Sequence, residues 1–278
     1  MRWCLRQNLC SDLSTVEPVS TQASIHPTAI IHPTASIGAG CEIGPFCVIG
    51  AHVELGENCW LQNQVTLMGP SKIGRNNKFF AFCSIGQQTQ DLKYAGEPTH
   101  LQVGEGNTFR EFVTVNRGTA PGSSTRIGDK GNFLAYSHVA HDCTVGSSVI
   151  FSNNGTIAGH VEVGDHAIIS GLTAVHQFCR VGSFAITGGC SKIVQDVPPY
   201  TIADGNPAKI RGLNKVAMER HGFSQEAQQA LKDAYKILYR SNLNLHQALE
   251  RMEAELPQIP EIRSFVAFLG VSTRGITL

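Results

Sequence analysis

Residues 127–193 read IGDKGNFLAYSHVAHDCTVGSSVIFSNNGTIAGHVEVGDHAIISGLTAVHQFCRVGSFAITGGCSKI. An aliphatic residue or Phe returns at every sixth position: Ile127, Phe133, Val139, Val145, Phe151, Ile157, Val163, Ile169, Val175, Val181 and Ile193. Thr187 is the one break in that stretch, and glycine often follows the apolar residue, as at Gly128, Gly146, Gly164 and Gly182. A period of six is neither the 3.6 of a helix nor the 2 of a simple strand. It describes one short strand and one corner. Three such sides close one triangular coil. Stacked coils pair as parallel strands about 4.8 Å apart, each turning its apolar residue inward. The expected fold is therefore mainly β, a parallel β-helix of hexapeptide repeats.

The same frame extends toward the N-terminus. It runs through Ile25, Ile31, Ile37, Ile43, Ile49, Leu55, Leu61, Leu67, Ile73, Phe79 and Ile85, and resumes at Val103, Phe109 and Val115. Asp91, Glu97 and Pro121 interrupt it. Residues 87–102, QQTQDLKYAGEPTHLQ, and 117–126, RGTAPGSSTR, are polar and read as loops thrown out from the prism. Long polar loops on a rigid scaffold often carry function. Cys41, Cys47, Cys59, Cys83, Cys143 and Cys179 all occupy the fifth position of their hexads, a slot for small inward residues. They are expected to be reduced core fillers, which fits a cytoplasmic setting.

The prism is expected to end near Pro198-Pro199. Helices are expected over 225–240 behind a Ser224 cap, over about 245–256, and from Pro260 onward. The domain reading is an N-terminal extension at 1–24, a β-helix at 25–200, and a small α-helical C-terminal domain at 201–278. Residues 1–24 lack the apolar run of a signal peptide and read as a flexible tail, with an organellar presequence as the alternative.

Composition excludes several classes. Lys+Arg and Asp+Glu are 22 each among 278 residues, so no generic surface for nucleic acid is indicated. No unbroken apolar run is long enough for a membrane span, so none is expected. Charged residues are 16%, against about 25% in typical proteins, and hydrophobic residues 42%, which argues against a disordered chain.

Three hexads make one coil, so His141, Gly159 and Gln177 stack. His138, Asp142, His160 and His176 flank them, and the set crowds one edge over three coils. His26, His32, His52 and His166 read as ordinary polar corner residues. Imidazole suits general-base work near neutrality, and Asp142 is able either to orient it or to serve a turn. The Gly159 N–H is placed to face an oxyanion. The cluster alone does not choose among its histidines. A convex edge needs a second wall, so an oligomer with sites between chains is expected, with the loop bearing Asp91 and Lys93 as a candidate wall.

IHPTAIIHPTASIG (25–38), TQDLKYAGEPT (89–99), HVAHDCTVG (138–146), GTIAGHVEVGD (155–165), TAVHQFCRVG (173–182), GGCSKIVQDVPPY (188–200) and STRGI (272–276) resemble the bacterial UDP-N-acetylglucosamine 3-O-acyltransferases, over about residues 25–278. That resemblance implies left-handed coils and a homotrimer. It implies transfer of a 3-hydroxyacyl chain from acyl carrier protein to the sugar 3-hydroxyl, the first step of lipid A synthesis, with no resident cofactor or metal. His141 would be the base, Asp142 its support, and the Gly159 amide the oxyanion donor. Asp91, Lys93, His138, His160, His176 and Gln177 would contact the nucleotide sugar, and Asn214 and Arg220 the uridine and phosphate end. Gly189 matches the position that limits acyl length, and glycine there implies a long chain. Lys209, Arg211, Lys215 and Arg220 form a basic patch for an acidic carrier protein. Val216 stands where the family often has an acidic residue, and His221 where it commonly has Arg.

Three other readings compete. A related N-acyltransferase has an extra N-terminal uridine-binding domain, for which the stretch before Ile25 is expected to be too short, and a 3-amino sugar is an alternative acceptor. A zinc lyase of the carbonic-anhydrase type would use three His ligands. A non-catalytic β-helix would show Thr or Ser ladders without edge histidines.

Overall fold

The computed structural model describes residues 22–278. The expected N-terminal extension therefore falls, up to residue 21, outside the described residues. From Ser24 onward the chain winds through short parallel strands that stack into three sheets of 11, 9 and 8 strands, the faces of a prism. Ser24–Ile25 pairs with Glu42–Ile43, which pairs with Trp60–Leu61, a step of three hexads each time. This is the parallel β-helix of hexapeptide repeats that the period requires.

The six-residue frame survives two insertions. Lys78 pairs with Thr108, five hexads on, and Thr108 with Asn132, four hexads on; from there the step of three hexads returns. The extra chain forms two loops, 88–99 and 117–123, between strands Ser84–Gln87 and His100–Val103 and between Thr114–Asn116 and Ser124–Ile127.

From Ile43 onward the apolar first positions and the fifth-position cysteines are buried, whereas Ile25, in the end coil, is exposed. Across the interrupted coils the first face is filled by Phe79, Phe109, Phe133 and Phe151, with ring centroids 5.0, 4.8 and 5.1 Å apart, matching the strand spacing. Asn77 and Asn107 form an internal ladder beside it: Asn107 N–H donates to Asn77 Oδ1 (2.9 Å), and Gly131 N–H to Asn107 Oδ1 (2.7 Å). Most corners turn through the fourth position of the hexad, which takes positive φ. Asp142 (59°) and His160 (61°) are two of these, residue types that tolerate the left-handed region.

The β-structure continues past residue 200. Thr201–Gly205 joins the first face, and Ala208–Leu213 folds back antiparallel on it, so helices begin only at α1 (Lys215–Arg220). The short α1 has too few turns for apolar periodicity to reveal it. Then follow α2 (Gln225–Arg240), α3 (Leu245–Glu255) and α4 (Pro260–Gly270), close to the expected bounds. Ser224 Oγ caps α2 by accepting from Ala227 N–H (3.1 Å). Phe265, Leu269, Leu231 and Met252 form the buried helical core. The C-terminal segment then returns to the prism: Asp196 N–H donates to Gly275 O and Thr277 N–H to Asp196 O, both 2.8 Å. None of these helices is long and apolar enough to cross a membrane.

Candidate active site

Parallel pairing brings the histidine edge together as the three-hexad step requires. His160 N–H donates to His141 O (3.1 Å), and Phe178 N–H to Gly159 O (3.2 Å), so the three corners sit in register. The side chains then converge. His141 Nδ1 lies 2.9 Å from Asp142 Oδ2, and His160 Nε2 lies 3.8 Å from the same oxygen. The Phe178 ring stacks on His160 at 4.7 Å.

Asp142 is held ionised. Burial opposes its charge, but Ser123, the His141 ring and Thr119 outweigh it, and its pKa is lowered. The Thr119 N–H donates to both carboxylate oxygens, at 3.2 and 3.1 Å, and Asp142 N–H donates to Thr125 Oγ1 at 2.8 Å. An ionised carboxylate only accepts hydrogen bonds, so His141 Nδ1 must be the donor. In a neutral imidazole the lone pair then stands on Nε2, the arrangement of a general base. A Cβ on Gly159 would lie 2.6 Å from that Nε2, so only glycine leaves room for the ring. Among the described residues the Gly159 N–H meets no backbone acceptor. A nitrogen lone pair and an uncommitted amide thus lie on adjacent coils.

His138 is the neighbour on the adjoining face. Its Nδ1 lies 2.7 Å from Thr114 Oγ1, and burial, followed by repulsion from His141, pushes its pKa down. A groove of about 520 Å³ runs past these groups, lined by Asp91, Lys93, Asn116, His138, His141, Gly159 and Gln177. Its second wall is the 88–99 loop of the same chain, so the edge is less bare than its convexity implied. That loop is tied to the 117–123 loop by Thr89 Oγ1 and Thr119 Oγ1, 2.8 Å apart, and to the prism by Asn116 Nδ2, which donates to Gln88 O (2.9 Å).

Other expected residues lie apart. His176 is exposed and its Nδ1 meets Arg274 Nη2 at 3.2 Å. Asn214 sits at a different corner, where it caps α1 by accepting from Ala217 N–H (3.2 Å) and donates to Phe184 O (2.8 Å). Arg220 is exposed in the last turn of α1. The face carrying Thr144, Glu162 and Arg180 separates that corner from the His141 edge. Gly189 borders the His138 face three coils on; a Cβ there would meet only Gly171 O, at 3.6 Å. His221 packs its ring against His166 (4.5 Å) and Phe184 (5.1 Å), and Val216 is exposed.

Sequence reasoning missed Thr114, Asn116, Thr119, Thr125 and Arg274. Thr114 stands four hexads rather than three before His138, because the second loop intervenes. Thr119 belongs to that loop, and the surplus hexad just before HVAHD was the signal that could have found it.

Known proteins bear on this site. Residues 196–277 match the family model described as UDP N-acetylglucosamine O-acyltransferase, domain 2, and residues 22–57 match the bacterial transferase hexapeptide model. The chain is similar to solved LpxA from Acinetobacter baumannii, with 42% identity, 91% of this chain and 99% of that one covered, and a TM-score of 0.89. It is similar to UDP-N-acetylglucosamine O-acyltransferase from Moraxella catarrhalis, with 41% identity, 91% and 99% coverage, and a TM-score of 0.88. The Arabidopsis UDP-N-acetylglucosamine acyltransferase shares 34% identity, with 91% and 100% coverage and a TM-score of 0.83.

Proposed function

Because the chain belongs to the UDP-N-acetylglucosamine O-acyltransferase family, we propose that it transfers a 3-hydroxyacyl chain from acyl carrier protein to the 3-hydroxyl of UDP-N-acetylglucosamine, opening lipid A synthesis, with His141 as the base. The observation that carries the base assignment is the His141–Asp142 pair set against Gly159.

The steps follow from these atoms. His141 Nε2 takes the proton of the sugar hydroxyl as its oxygen attacks the thioester carbon. Negative charge gathers on the thioester oxygen, where the Gly159 N–H is the donor. The Asp142 carboxylate stabilises the imidazolium. Collapse expels the carrier's pantetheine thiolate, which takes the proton back from Nε2. The pantetheine arm arrives with the donor, so the chemistry asks for no resident cofactor or metal.

Asp91, Lys93, His138, His160, His176 and Gln177 are assigned to the nucleotide sugar, and Asn214 and Arg220 to its uridine and phosphate end. Since Asn214 and Arg220 occupy another corner of the prism, a second chain must deliver them, which supports a homotrimer with sites between subunits. The open corner at Gly189 favours a long acyl chain. Lys209, Arg211 and Lys215 are assigned to docking of the acidic carrier protein. The buried, unbridged thiols suit a cytoplasmic protein.

The test is kcat for His141→Ala beside His138→Ala and His160→Ala, with thermal melts as a folding control. Loss of about 10²- to 10⁴-fold is expected for His141→Ala alone. Retention of more than about a tenth of wild-type kcat would show that another residue is the base.

A further inference from the structure

His141, Asp142 and His160 offer three ligand atoms that all lie within 4.8 Å of one another. His141 Nδ1 and Asp142 Oδ2 are 2.9 Å apart, and His160 Nε2 and Asp142 Oδ2 are 3.8 Å apart. A tetrahedral zinc ion with bonds of about 2.0–2.2 Å places neighbouring ligand atoms about 3.3–3.6 Å apart. The two separations from Asp142 Oδ2 bracket that range, and closing the site asks the His141 and His160 rings, whose centroids are 5.3 Å apart, to turn toward one another.

The surroundings favour an ion. The Asp142 side chain is 9% exposed, and the Thr119 N–H orients its carboxylate, as outer-shell donors do at metal centres. The His160 side chain is 41% exposed, which leaves an approach from solvent, and its ring is braced by Phe178. A donor set of two imidazoles and one carboxylate selects borderline cations such as Zn²⁺ and Co²⁺ over Mg²⁺, which prefers oxygen alone.

We propose that these three side chains form a divalent-cation site whose occupation by zinc switches the enzyme off. The proposal rests on His141 being the base. Without metal, the Nδ1 proton faces Asp142 and Nε2 holds the lone pair. A cation bound at Nδ1 takes the place of that proton. The neutral ring then carries its single proton on Nε2, which becomes a donor and can accept nothing from the sugar hydroxyl. No electron is transferred and no other reactant is needed.

The test uses the full chain with Cys4, Cys10 and Cys190 replaced by Ser, stripped with chelator and titrated with Co²⁺. One equivalent per chain, with the visible absorption of a four-coordinate ion, is expected. The band should vanish in His160→Gln and persist in His246→Gln, whose histidine is exposed on α3. Zn²⁺ should inhibit transfer reversibly, Mg²⁺ should not, and His160→Gln should weaken zinc inhibition about tenfold or more. No cobalt band, or an equal band in His160→Gln, overturns the proposal. A saturated site with undiminished transfer overturns the switch. The assignment of His141 as base stands or falls separately, on the metal-free kcat of His141→Ala.

Discussion

The His141 imidazole lies across the Cα of Gly159, one coil further on, so closely that a side chain on residue 159 would collide with the ring. Gly159→Ala should therefore displace the proposed base while the Gly159 amide remains in the backbone. A kcat loss of about 10²-fold is expected, comparable with losing part of a general-base contribution. Steady-state kinetics beside an intact circular dichroism spectrum would check it. An active Gly159→Ala would mean that the ring position is not critical.

Asp142 has a lowered pKa, so its charge stabilises the fold above the unfolded value of about 3.9 and that contribution is lost as pH falls through the folded value. The stability gap between wild type and Asp142→Asn should be steady from about pH 5 to 7 and shrink below about pH 4. Denaturant melts across that range would show it. The same variant should lose the tautomer preference of His141 and drop kcat by about 10²-fold or more.

Thr114→Val removes the hydroxyl 2.7 Å from His138 Nδ1. The partly buried ring nitrogen loses its partner, at a cost of about 0.5–1.5 kcal/mol in stability. Since His138 is assigned to the sugar, KM for the nucleotide sugar should rise more than kcat falls. An unchanged KM with reduced kcat would move His138 into the chemical step.

The contrast between Thr114 and Gly159 shows what the sequence made legible. A period of six names the prism, its inward residues and, wherever coils are uninterrupted, which residues stack; hence His141 over Gly159. Interrupted coils break that arithmetic, so Thr114 beneath His138 was invisible, as was the Thr119 contact with Asp142. Where the 88–99 loop would lie was also unreadable, because its placement depends on Thr89, Gln88 and Asn116, whose polar side chains carry no periodic signal. The three longer helices announced themselves by apolar spacing and caps, whereas α1 and the strands at 201–213 had too few turns or alternations to do so.

Mixed assemblies test whether a site draws on two chains. His141→Ala and Arg220→Ala should each be impaired alone. Co-expressed, they should recover up to about a quarter of the sites if a trimer pairs the His141 edge of one chain with the Arg220 corner of another. No recovery in mixed trimers that form normally would place both residues in a single-chain site.

Phe133 stands in the middle of the buried ring column, stacked on Phe109 and tilted against Phe151. Phe133→Ala should cost about 3–5 kcal/mol, the usual penalty for an aromatic-sized void. Phe46→Ala, at an exposed corner, should cost far less in the isolated chain. Urea melts of the two variants would separate them.

The two loops lengthen their coils by two hexads and by one, whole multiples of one side of the prism. The scaffold thus behaves like a message with a fixed reading frame. Chain can be spooled out at a corner, given a substrate to touch, and taken up again without scrambling the coils beyond it. A single residue deleted within the plain coils after Ile127 has no such refuge, because a one-step slip along a strand turns every later side chain to the opposite surface. The lineage of this fold can therefore experiment freely at its corners, while its straight runs are closed to all but substitution.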